Sequence, residues 1–170
     1  GLRALQDRAE LTRLVSAVIA ARGPLLLPLF VKVAPDLQPE DVADIADVIT
    51  CSGIDGLIIS NTTLSRDGLT SKHADEAGGM SGKPLMERST AILRDFRRAT
   101  GGKLPLIGVG GISSGADAYA KIRAGASLVQ LYTGLVYKGP ELINDIKRDL
   151  VRLLRRDGFR RVSEAVGVDS

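Results

Sequence analysis

The sequence predicts half of a (β/α)8 barrel, on three observations. The chain opens with one helix and then alternates through four apolar strands, each followed by a helical stretch. Such alternation means a parallel sheet with crossover helices. Two consecutive strand ends, Leu106 to Gly115 and Ser127 to Gly134, run from apolar residues into glycines and hydroxyls and then a helix start. Glycine lets backbone approach an anion, and helix N-termini favour negative charge. A tandem pair of such junctions is how the last two strands of a barrel hold a phosphate. No βα unit carries a dinucleotide fingerprint: Gly108-Val-Gly110 lacks the third glycine, and no acidic residue follows at the required distance. If the two junctions are strands seven and eight, the chain supplies strands five to eight. A small open parallel sheet of four strands is the alternative.

The elements follow in order. Leu5, Leu11, Leu14, Val15, Val18 and Ile19 keep helical spacing, so residues 3–22 form an amphipathic helix, broken at Gly23-Pro24. Leu29 to Ala34 is a strand. Pro39 suits a first helical turn, and Asp41 to Thr50 continues that helix. Gly56 to Ser60 is almost continuously apolar, as a strand buried on both faces should be. Asn61 to Pro84 is a long glycine-bearing loop; loops of this length are usually lids or binding loops. Glu87 to Thr100 is a helix ended by Gly101-Gly102. Leu104 to Val109 is a strand, Ala116 to Ala124 a helix, and Ser127 to Leu131 the last strand. Pro140 to Arg156 is a long helix, and Val162 to Val166 a short one.

Composition narrows the function classes. The 170 residues are 44% hydrophobic and 25% charged, an ordinary globular mixture with room for one real core. A net charge of +3 implies no nucleic acid or other strong polyanion as partner. No apolar run approaches membrane-spanning length, and the opening Gly-Leu-Arg-Ala-Leu-Gln lacks the apolar region of a signal peptide. One cysteine, Cys51, excludes a disulfide framework. With His73 as the one histidine, a zinc site has too few preferred ligands and no metal is expected.

Several residues break the pattern. Lys32 interrupts the run Val31 to Leu37. It either faces solvent on an edge strand or points into the barrel mouth toward an anionic group, since a buried unpaired charge is costly. Asp36 is expected to cap the following turn. Ser60-Asn61-Thr62-Thr63 ends a strand, where barrel enzymes place binding groups; Asn61 and Thr62 suit a planar polar heterocycle, or else satisfy the strand end locally. Gly78 to Leu85 resembles a phosphate loop but has no Walker ending. Seven Lys/Arg between Lys147 and Arg161 are read as a solvated helix face, with an anionic membrane surface as the minority reading.

Five stretches together resemble the quinone-linked dihydroorotate dehydrogenases: VKVAPDL (31–37), DGLIISNTT (55–63), GGMSGKPL (78–85), PLIGVGGISSG (105–115) and IRAGASLVQLYTGLVYKGP (122–140). They occur in family order and cover nearly the whole chain. The opening GLRALQ resembles the segment just after the family's catalytic-serine loop. The resemblance implies that residues 1–170 are the C-terminal half of a single FMN-binding TIM-barrel domain. It implies oxidation of dihydroorotate to orotate in pyrimidine synthesis, with proton removal at C5, hydride transfer from C6 to the flavin and reoxidation by quinone. Such enzymes sit on the bacterial cytoplasmic membrane or the mitochondrial inner membrane, through an N-terminal part this chain does not contain.

Residue by residue, Lys32 matches the lysine beside the flavin's pyrimidine end, and Ser60 a flavin-contacting position. Asn61 and Thr62 match substrate-binding positions. Gly82, Gly111, Tyr132 and Thr133 match the cradle of the FMN phosphate. The family's base is a serine in an Asn-x-Ser-x-Pro-Asn-Thr loop, and these 170 residues contain no such loop. No catalytic residue is therefore expected in this chain, and the base serine is expected upstream of Gly1. Ser113 and Ser114 lie in the wrong junction to replace it. The alternatives are another FMN- or phosphate-binding barrel, such as a sugar-phosphate isomerase with Asp36 as its only available base, or a non-catalytic half-barrel.

Overall fold

A computed structural model describes residues 7–25 and 27–170. The first turn of the predicted opening helix, and the GLRALQ segment, lie outside the described residues. The elements are α1 (Arg8–Arg22), β1 (Phe30–Val33), α2 (Pro39–Ser52), β2 (Gly56–Ile59), α3 (Met86–Ala99), β3 (Leu106–Val109), α4 (Gly115–Arg123), β4 (Leu128–Gln130), α5 (Thr133–Lys138), α6 (Glu141–Arg156) and α7 (Val162–Ala165). A 3₁₀ turn at Lys83–Leu85 leads into α3.

The four strands are parallel and lie in chain order, β1-β2-β3-β4. The order contains no reversal, and consecutive helices pack on one another, α1 on α2 and α2 on α3. That is an arc of a (β/α)8 barrel, with helices outside and strands inside.

Strand alternation separates the two faces. Val31, Val33, Leu57, Ile59 and Leu106 pack into the main core with α1 to α3. Lys32, Ile58, Ile107 and Leu128 stand in one row across the sheet by register, on the inner face. The two edges of the arc leave apolar side chains open: Phe30 is 43% exposed and Leu128 62%.

Local chemistry sets the boundaries. Asp7 caps α1, accepting from Ala9 N at 3.1 Å. Pro39 opens α2, Asp41 accepts from Gln38 N at 2.9 Å, and Gly53 closes the helix in the left-handed region. Ser114 caps α4 by accepting from Asp117 N at 3.1 Å. In α3, Ser89, Ile92, Leu93 and Phe96 make the buried stripe at helical spacing. Phe96 is wholly buried, and truncating such a residue to Ala costs about 3–5 kcal/mol.

The expected helix Pro140 to Arg156 begins at Glu141, and a separate helix, α5, precedes it. Sequence reading missed α5 because Thr133-Gly-Leu-Val-Tyr-Lys138 has poor helical propensity; packing on α6 holds it. The C-terminal basic run is exposed and partly paired within the chain. Arg148 pairs with Asp145, Arg152 with Asp149, and Arg156 with Asp157.

Candidate functional site

A cleft of about 730 Å³ opens at the carboxyl ends of the four strands. Each strand contributes: Lys32 from β1, Ser60-Asn61-Thr62 after β2, Val109 to Ser113 after β3, and Leu131 to Gly134 after β4. The end of the lid, Ser81 to Leu85, forms a further wall. All eight residues singled out from sequence line this one cleft: Lys32, Ser60, Asn61, Thr62, Gly82, Gly111, Tyr132 and Thr133.

Lys32 is exposed and lies on the inner face, opposite Val31 and Val33 in strand alternation. β1 is an edge strand among the described residues, and Lys32 lines the cleft as well, so the two readings of this lysine meet in one position. Ser60 is buried, follows a cis Ile59–Ser60 peptide, and donates from Oγ to Asn61 O at 3.0 Å. Asn61 continues the β1–β2 ladder through N–H to Val33 O at 2.8 Å. Its Oδ1 accepts from Thr62 N at 2.8 Å, which leaves the carboxamide NH₂ as the group offered to the cleft.

Three loops converge at the other end. Gly82 has φ +79° and lies against Thr133, whose Cγ2 would stand 3.0 Å from an added Cβ. Ser81 Oγ and Thr133 Oγ1 are 3.0 Å apart. Gly111 has φ +78° and packs flat on Met86. These close contacts bring backbone and hydroxyls together along one wall of the cleft, a lining suited to an anionic group.

Residues that sequence reading did not single out hold the cradle. Asp117 accepts from Lys83 Nζ at 2.9 Å, and from Ser113 N and Ser113 Oγ, each at 3.0 Å. Burial pushes the Asp117 carboxyl up, but hydrogen bonds from Lys83, Ser114 and Ser113 outweigh this and hold it below its ordinary value. Lys138 donates to Ser113 O at 2.8 Å. The signal for Asp117 was present: an acid three residues after an N-cap serine.

Asp36 ties the start of the long loop to α3, accepting from Thr63 Oγ1 at 2.5 Å and Leu64 N at 2.9 Å, and pairing with Arg88. Arg66 binds the lid's far limb through Glu76 O and Gly78 O. His73 pairs with Glu76 on the lid surface, while Cys51 is exposed on α2.

A family model for dihydroorotate dehydrogenase matches residues 1–154. The chain belongs to the dihydroorotate dehydrogenase family. It is 58% identical over 170 residues to a dihydroorotate dehydrogenase (quinone) of Parvibaculum lavamentivorans, covering 99% of this chain and 49% of that one. A mitochondrial dihydroorotate dehydrogenase (quinone) of Arabidopsis thaliana is 55% identical over 177 residues, covering 99% of this chain and 38% of that one. The crystal structure of dihydroorotate dehydrogenase from Eimeria tenella in complex with ferulenol shares the fold at TM-score 0.94 and 39% identity, over 99% of this chain and 50% of that chain. The chain spans about half the length of the bacterial relative, and its match is to the family's C-terminal half. The family's barrel, rather than a small open sheet, is therefore the fold to which this arc belongs.

Proposed function

We propose that residues 1–170 are the cofactor-binding half of a quinone-linked dihydroorotate dehydrogenase. The whole enzyme would bind FMN in a single barrel domain, oxidise dihydroorotate to orotate for pyrimidine synthesis, and pass the electrons to a quinone. The observation that carries this reading is the convergence of all eight family-matched positions on one cleft.

The residues fit FMN. Gly82 and Gly111 let their loops close on Thr133 and on Met86, and the hydroxyls of Ser81 and Thr133 stand beside them in the cleft wall, a lining that suits a phosphate. At the opposite end, Lys32 would offset negative charge on the flavin's pyrimidine side. Asn61, with its carboxamide oxygen already engaged, would donate to the substrate, with Thr62 beside it. Bound FMN would supply the two-electron acceptor; this chain's residues bind and orient.

Proton abstraction needs a base, and among the described residues no carboxylate or histidine lines the cleft. Asp36, the one candidate for isomerase-type chemistry, is tied to Thr63, Leu64 and Arg88 outside the cleft lining. Contact with a membrane and with quinone would come from outside these residues. Among the described residues no helix is long and apolar enough to cross a membrane.

The test is direct. The purified chain is expected to quench FMN fluorescence on binding, yet to give no dihydroorotate-dependent dye reduction. Adding the N-terminal half of a quinone-linked relative should restore turnover. Dye reduction by this chain alone would place a base within it and overturn the division proposed here; absence of FMN binding would sink the reading altogether.

A further inference from the structure

Lys121 is a fully buried lysine on α4, outside the cleft lining. Its Nζ donates to Ser89 Oγ at 2.5 Å and lies 3.5 Å from Met86 O. Ser89, itself fully buried on α3, places its hydroxyl 2.7 Å from Leu85 O and 3.2 Å from Gly110 O. The pair therefore touches both walls of the anion cradle from behind. Leu85 ends the 3₁₀ turn that follows the long loop, Met86 opens α3, and Gly110 precedes the Gly111 that packs on Met86.

The strand has made room for this reach. At Gly108 in β3, an added Cβ would stand 3.2 Å from Lys121 Cβ and 3.4 Å from Leu93. The lysine stem passes over that gap in an otherwise apolar strand. Burying an ammonium is unfavourable, and desolvation pulls this one down to about 7, partly opposed by the charge of Asp117. An apolar residue would fill the same slot without that cost, so a role in stability alone does not account for the lysine.

Resting on the reading of the cleft as an FMN site, we infer that Lys121 and Ser89 are positioning residues. Together they form the buried half of a clasp that fixes the lid end, Gly82–Met86, against the loop Gly110–Ser113 at the spacing a phosphate needs. Lys83–Asp117–Ser113 is the outer half of the same clasp.

Two variants of the 170-residue chain test it, Lys121→Met and Ser89→Ala; the second keeps the ammonium and removes only the tie. Hydrogen exchange needs no ligand. Amides of Gly82, Lys83, Leu85 and Gly110–Ser113 should exchange about tenfold faster in both variants, the size expected for one lost bond to a charged group. Those of Leu57–Ile59 should not change. Unchanged loop amides, or a uniform acceleration across the molecule, would overturn the clasp. In the second arm, FMN affinity should fall about tenfold while riboflavin, which lacks the phosphate, is held within about twofold. Equal loss for both ligands overturns the role toward phosphate. If the wild-type chain binds neither ligand, the FMN reading fails, and the exchange arm still decides the clasp.

Discussion

Gly111 lies flat against the first residue of α3: a Cβ added there would stand 2.5 Å from Met86 Cα and 2.6 Å from Met86 N. Both obstacles are backbone, so neither can swing aside. Gly111→Ala should cost about 3 kcal/mol or more, combining overpacking with a φ of +78°. Gly68→Ala is the control. It has φ +76° and nothing within 4 Å, so only the backbone penalty of about 1–2 kcal/mol applies. Urea denaturation of the two variants separates contact from conformation; equal losses would refute the close approach.

Lys121 sets a pH dependence. Its folded value, about 7, lies below the ordinary 10.5, with burial as the leading cause. Between those values the unfolded chain binds more protons than the folded one, so stability rises with pH across the window. Denaturation midpoints from pH 7 to 9.5 should climb more steeply for the wild type than for Lys121→Met. Parallel curves would show that the ammonium titrates normally.

The outer clasp divides unequally. Lys83 is largely exposed, so Lys83→Ala should cost only about 0.2–1 kcal/mol. Asp117→Ala strips the partner from Ser113 N and Ser113 Oγ as well, and should cost about 1–3 kcal/mol. Chemical denaturation of the singles and the double gives the coupling. A Lys83→Ala loss as large as that of Asp117→Ala would mean the exposed ion pair dominates.

Acid should weaken the cluster in which Asp157 meets Tyr119, Arg123 and Arg156. Hydrogen bonds from Arg156 and Tyr119 lead in holding the Asp157 carboxyl down at about 2. The folded value is depressed, so its contribution is present above the ordinary 3.8 and is lost as pH falls toward 2. Asp157→Asn should be less stable than the wild type at pH 6 and should show a flatter loss between pH 4 and 2. An unchanged acid limb would remove Asp157 from the account.

The open edges should make the isolated chain associate. Phe30 on β1 and Leu128 on β4 expose apolar surface on strands that, among the described residues, form the two edges of the sheet. Sedimentation velocity should show concentration-dependent association, reduced by Leu128→Lys. A well-behaved monomer across the concentration range would count against exposed edges in solution.

The site was legible where chemistry forces a residue type. Glycines and hydroxyls at strand ends pointed to the cleft's lining, and Lys32 and Asn61 stood out because each breaks or ends an apolar strand. Helix boundaries followed from Pro39, Gly53 and Ser114. The supports of the site were illegible for the opposite reason. Lys121 sits among Ala118 and Ile122 on a helix where a lysine ordinarily faces water; only Gly108 across from it hinted otherwise. The contacts of Asp36 with Thr63 and Arg88 were hidden because those partners are distant in sequence. Helix α5 escaped because tertiary packing overrides the propensity of a glycine- and valine-bearing segment.

Every strand here pairs with its neighbour in the chain, from Phe30 beside Gly56 to Ile107 beside Leu128. A ring built that way can be opened at two seams without cutting a pairing inside either arc. On the proposed reading, the loops that would hold the anion all fall within this arc, and the proton-abstracting group would be supplied from outside it. Grip and reactivity would then be separable along the gene: an arc built to hold a phosphate could be recombined with a second arc carrying a different reaction, and the ligand's anchor point would be inherited intact.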